Sequence, residues 1–167
     1  MLIDGDIQPW YLSTLGVAEQ LYDSLTVWNG QGSITVTSIS QPFFSAFISD
    51  ISTGTYTSDS STFSTLNSSI KSFADGFVAI VAKYTPSSGR LSEQFDRNTG
   101  AQTSAVDLTW SYASLLTSDL ARSGVVPASW GASGLTVPSQ CSTGPAPIAF
   151  TFNEDAITQY GGQFKLR

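Results

Sequence analysis

The sequence contains no histidine. That absence excludes Ser-His-Asp and Cys-His nucleophilic machinery and removes the commonest metal ligand, so acid-base chemistry falls to carboxylates. There is one cysteine, Cys141, and it cannot close a disulfide within the chain. Charge is also scarce: seven Lys and Arg stand against thirteen Asp and Glu, a charged fraction of 12% and a net charge of -6. No Lys/Arg cluster could neutralise a row of phosphates, which argues against nucleic acid as a partner. No apolar run approaches the ~20 residues that cross a bilayer, so no membrane span is expected. Met1-Leu2-Ile3-Asp4-Gly5-Asp6 lacks both the basic and the apolar region of an export signal.

What is present suits one ordinary domain: 167 residues, of which 41% are apolar and 12% aromatic. Abundant Ser and Thr beside aromatics fit the handling of neutral polar ligands such as sugars.

Apolar residues recur at three- and four-residue steps in several segments. From Trp10 to Trp28 they are Leu12, Leu15, Ala18, Leu21, Tyr22, Leu25 and Trp28, which predicts a helix with Pro9 in its first turn. Ser40 is placed as the N-cap of a short helix bearing Phe43, Phe44, Phe47 and Ile48. Phe63, Leu66, Ile70, Phe73, Phe77, Ile80 and Val81 predict a third helix, after a turn at Thr53-Gly54-Thr55. Arg90 to Ala105 has no strong period and is expected to be a loop. Asp107 is placed as N-cap of a fourth helix whose apolar residues are Leu108, Trp110, Tyr112, Leu115, Leu116 and Leu120, ending near Gly124. Beyond it Pro and Gly break the chain into turns, and Ile148-Ala149-Phe150-Thr151-Phe152 alternates as a strand.

Six stretches, Pro9-Trp10-Tyr11-Leu12, Ala18-Glu19-Gln20-Leu21-Tyr22-Asp23, Phe73-Ala74-Asp75-Gly76-Phe77, Ser92-Glu93-Gln94-Phe95-Asp96, Asp107-Leu108-Thr109-Trp110-Ser111-Tyr112-Ala113 and Val126-Pro127-Ala128-Ser129-Trp130-Gly131, occur in one order. Together they resemble the catalytic domain of the glucoamylases of glycoside hydrolase family 15. Each is weak alone; six in register are specific. The resemblance runs from about Pro9 to about Gly161 and covers roughly the last third of that domain. It implies an all-α fold, part of an (α/α)6 barrel with about four helices, over residues 1–131, then a linker over 132–147 and the truncated start of a starch-binding β module over 148–167. Both ends depart from the family pattern, at Met1 to Gln8 and at Gly162 to Arg167, which suggests a truncated product, an alternative transcript or an imperfect gene model.

The resemblance also implies an activity: inverting release of glucose from the non-reducing ends of starch and maltooligosaccharides, extracellular, by a monomer without a cofactor. Glu93 matches the family's general base. From composition alone it reads as a solvated loop glutamate. The family's general acid lies upstream, and none of Asp4, Asp6, Glu19, Asp23 or Asp50 resembles its surroundings.

Trp10 and Trp110 match tryptophans near the substrate and the base, where an indole stacks on the C–H face of a sugar. The alternative for each is a core aromatic on a helix. Trp130 is assigned to packing. Asn67-Ser68-Ser69 is an N-glycosylation sequon, meaningful for a secreted protein. Cys141 matches a cysteine that in the family pairs with an upstream partner.

Three readings follow. The chain belongs to an exo-acting glucosidase; or it is a catalytically incomplete, carbohydrate-associated or vestigial fragment; or it is an unrelated helical interaction protein, for which six matches would be coincidence. Apolar faces left uncovered at the cut edges of a partial barrel predict aggregation or a molten state in isolation.

Overall fold

The computed structural model describes residues 8–125. The expected linker and β module, Cys141, Trp130, Asp4 and Asp6 lie outside the described residues.

Four helices carry the fold: α1 (Tyr11–Gln31), α2 (Gln41–Ser45), α3 (Ser61–Tyr84) and α4 (Thr109–Arg122). Strands β1 (Ser33–Val36) and β2 (Gly54–Thr57) pair antiparallel around α2, and β3 (Gln94–Phe95) and β4 (Gln102–Thr103) pair antiparallel before α4.

Helix α1 buries Tyr11, Leu15, Ala18, Leu21, Tyr22 and Leu25 as one stripe, the face its periodicity predicts. It stops at Gly32, whose φ of 67° is a left-handed conformation that glycine adopts without a Cβ penalty. Pro9 is not in the first turn. Trp10 is the N-cap, in extended conformation, so Pro9 lies outside the helix and its carbonyl accepts from Phe95 N at 3.0 Å. Helix α3 starts at Ser60, whose hydroxyl accepts from Phe63 N at 3.2 Å. Ser40 does precede α2, but its hydroxyl accepts from Thr37 N at 2.9 Å and caps no α2 amide.

The helices have definite directions. Tyr11 meets Tyr84 and Tyr22 meets Asp75, so α1 and α3 run antiparallel. Trp10 meets Trp110 and Glu19 meets Thr117, so α4 runs parallel to α1. The N-termini of α1 and α4 and the C-terminus of α3 therefore share one end of the molecule. There a small core of Tyr11, Leu15, Val81, Leu91 and Phe95 forms, distinct from the main core that includes Leu21, Leu25, Ile34, Leu66 and Ile70.

Three sequence expectations fail for identifiable reasons. The turn expected at Thr53-Gly54-Thr55 gives way to strand from Gly54, because Ile34 and Val36 of the alternating Ser33–Val36 need cover and Gly54–Thr57 pairs alongside. Asp107 does not cap α4. Leu108 occupies that position, while Asp107 turns away with φ 54° to pair with Arg90 at 2.7 Å. Nor does α4 fully bury its large apolar residues: Ser111, Ser114, Ser118 and Ala121 are buried, Tyr112 and Leu115 pack partly buried against the small core, and Trp110 and Leu120 are exposed. Small side chains let two helices approach closely, and each buried hydroxyl donates to a carbonyl: Ser111 to Ser92 O at 2.8 Å, Ser114 to Ser111 O and Ser118 to Leu115 O at 3.0 Å. Satisfied in this way, a buried hydroxyl costs little.

Candidate active site

The stretch from Arg90 to Ala105, expected to be a loop, is organised around the β3–β4 hairpin and is fastened on both sides. Phe95 packs its ring 5.0 Å from Tyr11 and 5.3 Å from Tyr84. Tyr11 in turn donates its hydroxyl to Tyr84 O at 2.9 Å. Trp10 forms a β-bridge with Gln94, so the hairpin continues into the residue before α1.

Glu93 sits immediately before β3 and is partly buried. Both its main-chain groups are committed: its N–H donates to Ala105 O at 2.8 Å and its carbonyl accepts from Tyr11 N at 3.2 Å. The second bond satisfies one of the amides that every helix start leaves without an intrahelical partner. Its neighbour Ser92 is buried, and Ser92 O accepts from Ser111 Oγ at 2.8 Å. The Glu93 carboxylate accepts a hydrogen bond from Ser104 Oγ. Ser104 is one of two non-glycine residues with positive φ among the described residues, at 66°, a backbone setting that side chains other than glycine seldom adopt.

Trp10 and Trp110 come together. Their ring centroids are 5.6 Å apart at an interplanar angle of 40°. Trp10 is half-buried, and Trp110 is 43% exposed among the described residues. The predicted trio thus occupies one end of the molecule, with Trp10 bridging to the residue after Glu93. Asn67 is not part of it. It lies on α3, about 25 Å along the axis from the Tyr84 end at ~1.5 Å per residue, and its amide donates to Phe63 O at 3.1 Å.

The other carboxylates around the hairpin are engaged elsewhere. Hydrogen bonds from the Thr99 main chain and hydroxyl and from the Asn98 main chain hold Asp96 below the ordinary carboxylate range. Asp107 is held down by Arg90 and by Tyr112, whose hydroxyl donates at 2.8 Å. A general acid needs a raised value, so neither suits that role. Among the described residues no group of three or more His, Cys, Asp or Glu side chains could hold a metal ion.

Sequence reasoning missed Ser104 and Gly100. Gly100 has φ 74°, and a Cβ there would run into Cδ1 and Cε1 of the Tyr84 ring, so the hairpin tip closes on Tyr84 only with glycine. The signal was Asn98-Thr99-Gly100, a turn-forming run. Gly100→Ala is expected to destabilise the folded state by about 2–4 kcal/mol, the left-handed penalty and the overpacking combined. Urea unfolding of wild type and variant measures it.

Known proteins extend this geometry. The profile of Glycosyl hydrolases family 15 matches residues 3–119. Glucoamylase-1 of Schizophyllum commune is 53% identical over 159 residues, covering 92% of this chain and 28% of that protein. The glucoamylase of Neurospora crassa is 56% identical over 135 residues, covering 80% and 22%. Among solved structures, the family 15 glucoamylase from Hypocrea jecorina superposes with a TM-score of 0.72 at 51% identity, covering 80% of this chain and 22% of that one. The Hormoconis resinae glucoamylase gives 0.71 at 41% identity, covering 77% and 23%. These glucoamylases have the (α/α)6 fold, so the mostly helical architecture is part of such a barrel, and the chain spans about a quarter of the length of the relatives it matches. With motif order, helix arrangement and identity in agreement, this chain belongs to glycosyl hydrolase family 15.

Proposed function

We propose that this chain supplies the general base and part of the sugar-binding wall of an inverting glucoamylase that releases glucose from the non-reducing ends of starch and maltooligosaccharides. The observation that carries the reading is Glu93: a carboxylate on a hairpin pinned to α1, oriented by Ser104, at the same end as the Trp10–Trp110 pair. In the inverting reaction the base takes a proton from water as the water oxygen bonds to the anomeric carbon. A protonated carboxyl gives its proton to the glycosidic oxygen as that bond breaks. Glu93 is assigned the first role. Indole faces at Trp10 and Trp110 would stack on sugar rings. As in a secreted enzyme, Asn67 would serve as the glycan acceptor. No described helix is long and apolar enough to cross a membrane.

The second role needs another carboxyl, and with Asp96 and Asp107 held down no described residue beside Glu93 meets that requirement. This supports a second reading, that these 167 residues are catalytically incomplete in isolation. Glucose release from maltotetraose tests both. The chain alone is expected to release none. A chimaera in which this chain replaces the matching stretch of a family 15 glucoamylase is expected to be active. An inactive, folded chimaera sinks the first reading; release by the chain alone sinks the second.

Ser104 provides a finer check in the same chimaera. Removing its hydroxyl frees the carboxylate to rotate without touching the substrate walls. Ser104→Ala is expected to lower kcat several-fold with KM little changed. A change confined to KM would count against the orienting role.

A further inference from the structure

Glu93 stands where the hairpin's own ladder runs out. Strands β3 and β4 pair only at Gln94 with Thr103 and at Phe95 with Gln102, and one further main-chain bond, from Glu93 N to Ala105 O at 2.8 Å, continues them. The returning chain then turns away between Ser104 and Asp107, which adopt positive φ of 66° and 54°. Arg90, Leu91 and Ser92 carry the chain up to Glu93 with no strand paired to them, yet Leu91 and Ser92 are buried. Buried peptide groups need partners.

Side chains and the start of α4 take the strand's place. Arg90 O accepts from Gln102 Nε2 at 2.6 Å, and Leu91 N donates to the Tyr112 hydroxyl at 3.1 Å. Leu91 O accepts from Leu108 N at 3.0 Å, and Ser92 O from Ser111 Oγ at 2.8 Å. Gln102 differs from these partners in holding the chain on both sides of Glu93. Its main chain pairs with Phe95, two residues after Glu93. Its amide accepts from Ser92 Oγ at 3.0 Å and donates to Arg90 O, one and three residues before. A primary amide carries both a donor and an acceptor, so it can serve as the peptide group of a longer β4 would.

We infer that Gln102 is a positioning residue for Glu93: its side chain extends the grip of the hairpin past the end of the ladder and fixes where the carboxylate stands. Its part in the reaction rests on the reading of Glu93 as the base. Gln102 acts through the chain leading to Glu93, whereas Ser104 bonds the carboxylate itself. A reacting group displaced by about 1 Å can lose about 10²-fold in rate, so a loosened approach should be felt in the chemical step.

Gln102→Met keeps the length of the side chain and removes both of its hydrogen-bonding groups. In the chimaera it is expected to lower kcat on maltotetraose about tenfold, with KM changed less than about twofold. Amide hydrogen exchange in peptides spanning 90–95 is expected to speed up about tenfold or more, with exchange in α1 unchanged. Ser92→Ala removes only the hydroxyl held by the amide; it is expected to show the same pattern at about threefold, and serves as the test should Gln102→Met fail to fold. The double variant is expected to lose no more than Gln102→Met alone, since both act through one clasp.

Unchanged exchange over 90–95, faster exchange with unchanged kcat, or losses that multiply in the double variant each overturn the inference. Asp75→Asn, at the junction of α1, α3 and α4, is expected to leave kcat unchanged. A fall there equal to that of Gln102→Met would reduce the effect to general loss of stability and overturn the positioning role. Glu93→Gln separates the two readings. If it lowers kcat and Gln102→Met does not, the positioning role alone fails; if it leaves kcat unchanged, the base lies elsewhere, while faster exchange in Gln102→Met still supports the clasp.

Discussion

Glu93→Gln in the chimaera is expected to lower kcat on maltotetraose by about 10²–10⁴-fold, with KM changed far less. The substitution keeps the side chain's length and its capacity to accept from Ser104 Oγ, so the hairpin's hydrogen bonds to Ala105 O and Tyr11 N remain. What it removes is the ability to take a proton from water. The loss should therefore fall on the chemical step, and steady-state kinetics on maltotetraose separates the two parameters. An unchanged kcat would show that the base lies elsewhere, leaving Glu93 a loop glutamate.

Asp75 carries the second large effect, on stability. Its carboxylate joins three helices: it accepts from Tyr22 of α1 at 2.6 Å, from Arg122 of α4 at 2.9 Å and from Lys71 of its own α3 at 3.2 Å. The Asp75 and Arg122 side chains are 18% and 14% exposed. Burial raises the Asp75 carboxyl, but hydrogen bonds from Arg122, Tyr22 and Lys71 outweigh it and hold the group below its ordinary value of 3.8. Burial, and then the Asp75 carboxylate, push the Tyr22 hydroxyl well above the ordinary phenol value. Asp75→Ala removes the shared acceptor, and a cost of about 2–4 kcal/mol is expected, between that of an exposed pair and that of a fully buried one. Asp75→Asn keeps an acceptor for Tyr22 and should cost about 1–2 kcal/mol.

The pH dependence has a definite sign. A carboxyl lowered in the folded state contributes stability that is fully present above the unfolded value near 3.8 and is lost as pH falls through the lower folded value. Urea midpoints of the chimaera across that acid range should fall for the wild type and flatten for Asp75→Asn. Equal slopes would remove Asp75 as their source.

The long helices were legible because their burial is local arithmetic. In α1 and α3 the apolar period and the buried face coincide, and Gly32 and Ser60 mark boundaries by conformational preference and capping. Helix α4 was legible in position but not in orientation. Trp110 and Leu120 form an apolar pattern that faces outward, while the serines facing α1 look like a solvent face until their carbonyl partners are known. The short strands escaped notice because two-residue pairing at β3–β4 leaves no periodic signature, and β2 is defined by its partner. Ser104 was illegible for the same reason: it is eleven residues from Glu93, and only the antiparallel return of the hairpin brings the hydroxyl to the carboxylate.

By itself the sequence determined the family and narrowed the chemistry to carboxylates, with Glu93 the proposed base. The lack of histidine and the six ordered motifs are properties of residue identity, which needs no coordinates to read. Only the tertiary structure decided that Glu93 is held by both its main-chain groups, that Trp10 and Trp110 form a pair, that serines fill the contact of α4 with α1, and that Gln102 holds the chain on both sides of Glu93. These depend on which side chains meet across long stretches of chain. Such meetings are set by helix direction and close packing, and local preference does not encode them.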